Sequence, residues 1–139
     1  KGTKDLHKYK KIILVFSPDK QPNGILKGFL KYCNTFSFTS EVIGSLKDRE
    51  IFEKEVYFVL DDSELILLIK KIKEQHLRIA KDVGIISLND TILKEVVADG
   101  INTISTNFNL MGKLLAEMVL SNKKESIENS SYYTKRKSL

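Results

Sequence analysis

The stretch Val56-Tyr57-Phe58-Val59-Leu60-Asp61-Asp62-Ser63-Glu64 decides the fold class. Its first five residues form a continuous apolar run, which is typical of a strand buried on both faces. Asp61 then stands where a helix N-cap is expected, and Glu64 follows in capping-box register. Apolar residues continue beyond it at helical spacing, at Leu65, Leu68, Ile69 and Ile72. The stretch therefore predicts a buried strand that passes directly into a helix.

The same alternation of strand and helix recurs along the chain. Further strands are predicted at residues 12–16, 38–46, 83–88, 101–105 and 132–134. Helices are predicted after the Pro22-Asn23-Gly24 loop, over residues 92–97, and from an N-cap at Asn107. Because strands that alternate with helices form βαβ units, the predicted fold class is α/β, with a mainly parallel sheet flanked by helices.

Length and charge predict one domain without a membrane span. The chain has 139 residues and a formal net charge of +5, with lysine and arginine concentrated at both ends. The basic ends lack interleaved aromatic residues and a recognition-helix pattern, so solvated termini explain them better than nucleic-acid binding. No apolar run approaches the roughly 20 residues that span a bilayer. The start, Lys1-Gly2-Thr3-Lys4-Asp5, lacks the apolar segment of a signal peptide.

The residues that usually carry catalysis are few and scattered. His7 and His76 have no cysteine or carboxylate at metal-ligand spacing, so no metal is expected. The single cysteine, Cys33, lies in an apolar periodic stretch and is interpreted as a small buried hydrophobic residue in a reducing compartment. A glycine-rich phosphate loop is also missing from the sequence. We therefore predict neither an enzyme nor a bound cofactor.

Polar side chains follow the predicted strands where ligands usually bind in parallel sheets. The carboxyl ends of the strands lead into residues 17–23, Asp61-Asp62 and Asn89-Asp90-Thr91. Aspartate and asparagine suit polyhydroxylated ligands, since their two terminal atoms can engage adjacent hydroxyl groups. Helix capping is the stronger explanation at Asp61 and Asp62, whereas at Asn89 and Asp90 both explanations stay open. The candidate ligand-binding residues are Asp61, Asn89, Asp90 and Asn23.

The order of these motifs resembles the effector domain of the lactose and galactose repressor family. Three stretches carry the resemblance. They are Val59-Leu60-Asp61-Asp62-Ser63-Glu64-Leu65; Leu77-Arg78-Ile79-Ala80-Lys81-Asp82-Val83-Gly84-Ile85-Ile86-Ser87-Leu88-Asn89-Asp90-Thr91; and Ile101-Asn102-Thr103-Ile104-Ser105-Thr106-Asn107-Phe108 through Met111-Gly112. Gly28-Phe29 and the terminal Lys135-Arg136-Lys137-Ser138-Leu139 also fit. The resemblance covers nearly the whole chain from Tyr9.

This resemblance implies a Rossmann-like lobe of the periplasmic-binding-protein-like fold. It also implies a dimeric transcription regulator in the cytoplasm, whose effector domain has two lobes that close on a sugar or sugar derivative. This closure would change how separate DNA-binding heads are presented to DNA. Residues 1–139 would form the C-terminal lobe, while the crossover strand and helix of residues 101–121 would belong to an N-terminal lobe that the sequence does not contain. That helix would then lack its native partner, and we expect it to dock onto another copy of the chain or onto a non-native surface.

Five positions depart from the family pattern. The family's ligand loop usually has glycine, an aromatic residue and aspartate, where this chain has Ser87, Leu88 and Asn89, and Asp61 replaces the family's asparagine. Ile25 falls near the family's basic ligand contact, so that contact is expected to be absent. The resemblance therefore leaves the identity of the ligand open.

Two other functions remain as alternatives. A secreted sugar-binding protein of the same fold is one, because a fold does not decide function. A phospho-acceptor receiver module is the other, with Asp61 in the place of the acceptor. The receiver is the weaker of the two, because the first strand ends in Val15-Phe16-Ser17-Pro18 rather than an acidic pair and no lysine follows Ile104.

Overall fold

Six strands and five α-helices alternate along most of the chain. The computed structural model describes residues 3–139, so Lys1 and Gly2 of the charged N-terminal stretch lie outside the described residues. The helices are α1 (Thr3–Leu6), α2 (Asn23–Thr35), α3 (Asp62–Glu74), α4 (Ile92–Val96) and α5 (Phe108–Leu120). The strands are β1 (Lys11–Val15), β2 (Ser40–Ile43), β3 (Glu55–Val59), β4 (Gly84–Leu88), β5 (Asn102–Thr106) and β6 (Ser131–Thr134).

The strands form one sheet in the order β2-β1-β3-β4-β5-β6. All neighbours are parallel except β5 and β6, which are antiparallel. The predicted α/β class and the mainly parallel sheet are confirmed. In this order β1, β3 and β4 are consecutive neighbours, so the segments that leave their carboxyl ends lie side by side.

One face of the sheet packs against α3. Tyr57 and Val59 point from β3 into a buried cluster with Leu68 and Ile72 of the helix. Full burial of one such side chain stabilises the fold by roughly 1.5–3 kcal/mol. All four apolar residues predicted for this helix face, Leu65, Leu68, Ile69 and Ile72, are buried. The 3.6-residue spacing therefore identified the buried face of α3 correctly.

The opposite face packs against α1 and α2. Phe29 and Cys33 of α2 are buried against Ile12 and Leu14 of β1. Cys33 is 0% exposed, and this burial raises the pKa of its thiol, in keeping with the small buried hydrophobic residue predicted for this position. The neighbouring Leu30 is 41% exposed.

The C-terminal tail after β6 is built into the sheet. Ser138 is fully buried, its Oγ donates to the Ile85 carbonyl at 2.7 Å, and its own carbonyl accepts from the Ile85 N–H. Gly84 makes room for this tail, because a Cβ there would lie 2.8 Å from Leu139 Cδ2. The expectation of a solvated basic C-terminus is thus wrong for Arg136, whose side chain is only 15% exposed.

Helix α5 is the least buried long helix. The side chain of Asn107 caps it by accepting from the Leu110 N–H at 3.0 Å, as predicted. Yet α5 contains no buried residue, and Leu115 and Val119 are 62% and 72% exposed. Leu110, Leu114 and Met118 are half-buried, so α5 covers its apolar residues only in part within the described residues. None of the helices in residues 3–139 is long and apolar enough to cross a membrane.

Candidate ligand site at the carboxyl edge of the sheet

Asp61 follows β3 directly and combines a capping role with free hydrogen-bonding capacity. Its Oδ1 accepts from the Glu64 N–H at 2.9 Å, so the predicted N-cap is confirmed. The reciprocal half of the capping box is wrong, because the Glu64 carboxylate accepts from Ser45 Oγ at 2.7 Å and from the Leu46 N–H at 2.9 Å. The Oδ2 of Asp61 has no hydrogen-bond partner among the described residues, and the residue is half-buried. One carboxylate oxygen thus remains available at the sheet edge.

Asn89 follows β4, the neighbour of β3, in a left-handed backbone conformation with φ of 59°. Asparagine tolerates this conformation better than most residues, because its short polar side chain fits the αL region. The Asn89 N–H donates to the Ile104 carbonyl at 2.8 Å, and the Asn89 carbonyl accepts from Lys94 Nζ at 2.8 Å. Its side-chain amide has no partner within residues 3–139. Asn89 therefore presents an unused donor and an unused acceptor beside Asp61.

Asp90 is engaged by the C-terminal tail. Arg136 donates to its two carboxylate oxygens at 2.7 Å and 2.9 Å in a bidentate ion pair. Thr134 Oγ1 adds a longer contact of 3.4 Å. The Arg136 guanidinium holds the pKa of the Asp90 carboxyl below its usual value, so Asp90 is charged at neutral pH. Of the four candidate residues, Asp90 has the least free hydrogen-bonding capacity.

Asn23 is the first residue of α2 rather than part of the preceding loop. It is exposed, and its side chain has no partner among the described residues. The loop between β1 and α2 lies beside the end of β3, since β1 and β3 are neighbours. Ile25, which follows two residues later in the helix, is half-buried and lines an apolar groove. Asn23 is therefore the polar side chain that the first turn of α2 presents at this edge.

Two positively charged side chains hold these loops in place, and neither was predicted from the sequence. Lys94 of α4 binds the carbonyls of Leu88 and Asn89, and Arg136 binds Asp90. Arg136 lies 46 residues from Asp90 in the sequence, so no local pattern could pair them. Lys94 did carry a weak signal, because it is a lone lysine within the mainly apolar Ile92-Leu93-Lys94-Glu95-Val96-Val97.

The chemistry available at this edge is hydrogen bonding. Carboxylate oxygens and amide groups can accept from and donate to the hydroxyl groups of a polyol. Among the described residues no three histidine, cysteine, aspartate or glutamate side chains cluster in a way that could hold a metal ion. His7 contacts the ring of Phe38 at 4.9 Å, and His76 follows the end of α3, so neither belongs to this edge.

A large apolar groove lies elsewhere, on the α2 face of the sheet. It has a volume of about 640 Å³ and is lined mainly by apolar side chains of α1, α2 and the strands, among them Leu6, Phe29, Phe58, Ile86 and Ile104. Gly24, Ile25 and Ser131 extend it towards the carboxyl edge. Its few polar groups could not satisfy a polyhydroxylated ligand, so the volume of the groove does not make it the better sugar site.

Comparison with known proteins places this architecture in a family. A model of the periplasmic binding protein-like domain matches residues 7–134. No curated protein gives a significant sequence match.

Three solved structures share the fold. A LacI family transcriptional regulator from Bifidobacterium animalis subsp. lactis superposes with a TM-score of 0.77 at 16% identity, over 97% of this chain and 58% of its own. The lac repressor bound to ONPG in its repressed state superposes with a TM-score of 0.74 at 18% sequence identity, over 96% of this chain and 47% of its own. A periplasmic binding protein/LacI transcriptional regulator from Alkaliphilus metalliredigens, complexed with D-xylulofuranose, superposes with a TM-score of 0.72 at 18% sequence identity. The match covers 97% of this chain and 59% of its own.

These likenesses establish the fold. The chain spans about half to three-fifths of the length of those structures. The fold expected from the resemblance to the lactose and galactose repressor family is confirmed over nearly the whole chain. On the family match and the sheet topology together, the chain belongs to the periplasmic binding protein-like domain family.

Proposed function

We propose that this chain is the ligand-sensing domain of a bacterial transcription regulator that binds a sugar or a sugar derivative. One observation carries the proposal. The side-chain amide of Asn89 and the Oδ2 of Asp61 stand without partners among the described residues at the ends of adjacent parallel strands, β4 and β3. Unpaired polar groups at this edge of a parallel sheet are suited to a polar ligand. The lac repressor and the Alkaliphilus metalliredigens regulator carry bound ONPG and D-xylulofuranose on the same fold.

Each candidate residue has a distinct role in this proposal. Asp61 accepts from one sugar hydroxyl through Oδ2 while its Oδ1 keeps capping α3. Asn89 both donates and accepts, and Asn23 contributes from the start of α2. Asp90 contributes least, because both of its carboxylate oxygens already accept from Arg136 and Oδ2 also accepts from Thr134.

Regulation in this proposal depends on a second lobe. The crossover strand and the helix of residues 101–121 were both expected in the other lobe. Because β5 pairs with β4 and β6 in this sheet, we propose that assignment for α5 alone. The exposed apolar side chains of α5 support this division, because a helix that belonged to this core would bury one face. Closure of two lobes on the sugar would change the presentation of separate DNA-binding heads, which is allostery in the strict sense. Such a regulator acts in the cytoplasm, where its DNA is.

The partner that we propose for the outer surface is a second copy of the chain. Three apolar side chains of α4 are exposed, namely Ile92 at 83%, Leu93 at 53% and Val96 at 72%. Ile66 of α3 is exposed too, and it lies one turn from Asp62, which pairs with Lys94 of α4 at 3.0 Å. We propose that this α3–α4 patch (Ile66, Ile92, Leu93, Val96) packs against its own symmetry copy in a homodimer.

A thermal-shift screen of the full-length protein tests the proposal. We expect one class among pentoses, hexoses and disaccharides at millimolar concentration to raise the melting temperature. Asp61→Ser should weaken the shift while preserving the N-cap, because serine caps helices as well as aspartate does. Asn89→Gly should weaken it without backbone strain, because glycine adopts positive φ freely.

Arg78→Met is the matched control, since it removes an exposed ion pair with Asp82 on the segment before β4, at the opposite edge of the sheet from the proposed site, and should leave the sugar response intact. A sugar-dependent change in the affinity of the full-length protein for DNA would separate a regulator from a secreted sugar-binding protein of the same fold. A panel in which no sugar shifts the melting temperature, or a shift that survives both site substitutions, would contradict the proposal.

A further inference from the structure

We propose that Lys94 is a positioning residue that fixes the Asn89 loop and ties it to the Asp61 segment. Lys94 lies on the short helix α4 and is only 2% exposed. Lysine is almost never fully buried unless it is paired. A buried ammonium group beside two candidate ligand segments therefore needs a structural reason in the site itself.

The contacts of Lys94 supply that reason. Its Nζ donates to the Leu88 carbonyl at 2.7 Å and to the Asn89 carbonyl at 2.8 Å. It also pairs with Asp62 Oδ1 at 3.0 Å. Three acceptors thus meet the three donors of one ammonium group, which leaves none of its hydrogen-bonding capacity unused.

Each of these acceptors belongs to a segment of the proposed site. The two carbonyls close the end of β4, where Asn89 holds a positive φ of 59°. Hydrogen bonds from a charged donor are stronger than neutral ones, so they can hold a backbone conformation that a non-glycine residue seldom adopts. Asp62 is the neighbour of Asp61 on the adjacent segment. Lys94 therefore sets both the backbone of Asn89 and its distance from Asp61.

This inference rests on the proposed function only for its consequence, the binding of a sugar. The ordering of the loop can be measured without any ligand. The Asn89 N–H donates to the Ile104 carbonyl at 2.8 Å, so its rate of hydrogen exchange reports whether the loop stays closed.

Amide exchange of the full-length protein, followed by NMR or mass spectrometry, tests the inference. Lys94→Met keeps most of the buried volume and removes the three contacts. We expect the Asn89 amide to exchange at least tenfold faster in this variant, while amides of the central strand β3 keep their rates. Lys94→Gln supplies two neutral donors for the two carbonyls, and its Asn89 exchange rate should fall between those of Lys94→Met and wild type.

Lys11→Met is the matched control. Lys11 also pairs with a carboxylate, Glu41 at 3.1 Å, but its side chain is 37% exposed and it begins β1, at the opposite edge of the sheet from the Asn89 loop. This variant should leave the exchange of Asn89 unchanged. If Lys94→Met does not fold, the Asn89 exchange rate of Lys94→Gln is compared with that of wild type, and faster exchange in Lys94→Gln supports the inference.

Two results would overturn the inference. One is an unchanged Asn89 exchange rate in a folded Lys94 variant. The other is an equal acceleration across β3, which would mean that Lys94 acts on global stability alone. With a sugar identified by the screen, Lys94→Met should also weaken binding at least fivefold. A wild type that binds no sugar contradicts the proposed function but leaves the exchange comparison fully decisive for Lys94.

Discussion

The pairing of Asp90 with Arg136 shows how a side chain at a ligand edge can serve the fold. Both groups are largely buried, at 17% and 15% exposure, and the carboxylate is held by two short hydrogen bonds. Arg136 also donates to the Ile101 carbonyl at 3.0 Å. The C-terminal tail is thereby fastened to the loop that carries Asn89.

This ion pair predicts a stability difference that depends on pH. The pKa of Asp90 is lowered in the folded protein, so the stabilisation is present above the unfolded pKa of about 4 and is lost as the pH falls through the folded value. Asp90→Asn should cost roughly 1–3 kcal/mol at pH 7. The difference from wild type should shrink towards pH 3 in urea unfolding experiments.

Asp19→Asn is the control for this comparison, since Asp19 is exposed on the loop before α2. It should change stability little at any pH. A penalty for Asp90→Asn that stays constant from pH 7 to pH 3 would show that charge pairing with Arg136 is not its cause.

At the scale of single residues, the sequence was informative where a contact is local. The cap at Asp61 was predictable because the Glu64 N–H lies three residues away. The hydrogen-bond partners of Glu64 were not predictable, because Ser45 and Leu46 lie on the loop after β2 and are distant from Glu64 in the sequence. The four predicted ligand residues themselves stay predictions until a ligand is bound.

At the scale of elements, the spacing of apolar residues predicted well which helices and strands exist, but it predicted less well which of their residues are buried. The strand predicted over residues 38–46 is confirmed but is shorter, Ser40–Ile43, as an edge strand beside β1 alone. The apolar spacing of α3 and of α5 looks alike in the sequence. In the structure α3 buries four residues and α5 buries none. Periodicity shows that a helix has an apolar face, and only the tertiary fold shows what covers it.

The contrast between α3 and α5 predicts opposite responses to substitution in the 139-residue chain. Leu115→Lys and Val119→Lys should each change the free energy of unfolding by no more than about 0.5 kcal/mol, as exposed substitutions usually do. Leu68→Ala should cost roughly 2–5 kcal/mol, because Leu68 is fully buried under the sheet. Urea unfolding monitored by circular dichroism would measure all three.

In the full-length protein the α5 variants should behave differently. If α5 packs into a second lobe, Leu115→Lys then becomes destabilising. A Leu115→Lys variant that is neutral in both contexts would contradict the assignment of α5 to another lobe.

At the scale of the whole molecule, the sheet aligns the proposed site without any single decisive motif. The α/β class and the parallel sheet could be predicted because each βαβ unit has a recognisable pattern in the sequence. The order β2-β1-β3-β4-β5-β6 could not be predicted in the same way, because strand neighbours are chosen by packing between distant segments. That order is what puts Asp61 and Asn89 on adjacent strands.

The exposed α3–α4 patch predicts self-association at this scale. Val96→Glu should convert a dimer of the full-length protein into a monomer, because the carboxylate would be desolvated at the interface. Sedimentation velocity at micromolar concentration would measure the change. Leu30→Glu is the control and should leave the dimer intact, because Leu30 is 41% exposed on α2, which packs on the opposite face of the sheet from α3. A monomeric wild type would contradict the dimer proposal.

The most direct test of the central claim is hydrogen exchange of the full-length protein with and without the sugar that most raises its melting temperature. We expect slower exchange in the segments that follow β3 and β4, around Asp61 and Asn89, and little change along the apolar groove beneath α2. Protection confined to the groove, or no protection in either segment at a saturating sugar concentration, would contradict the central claim.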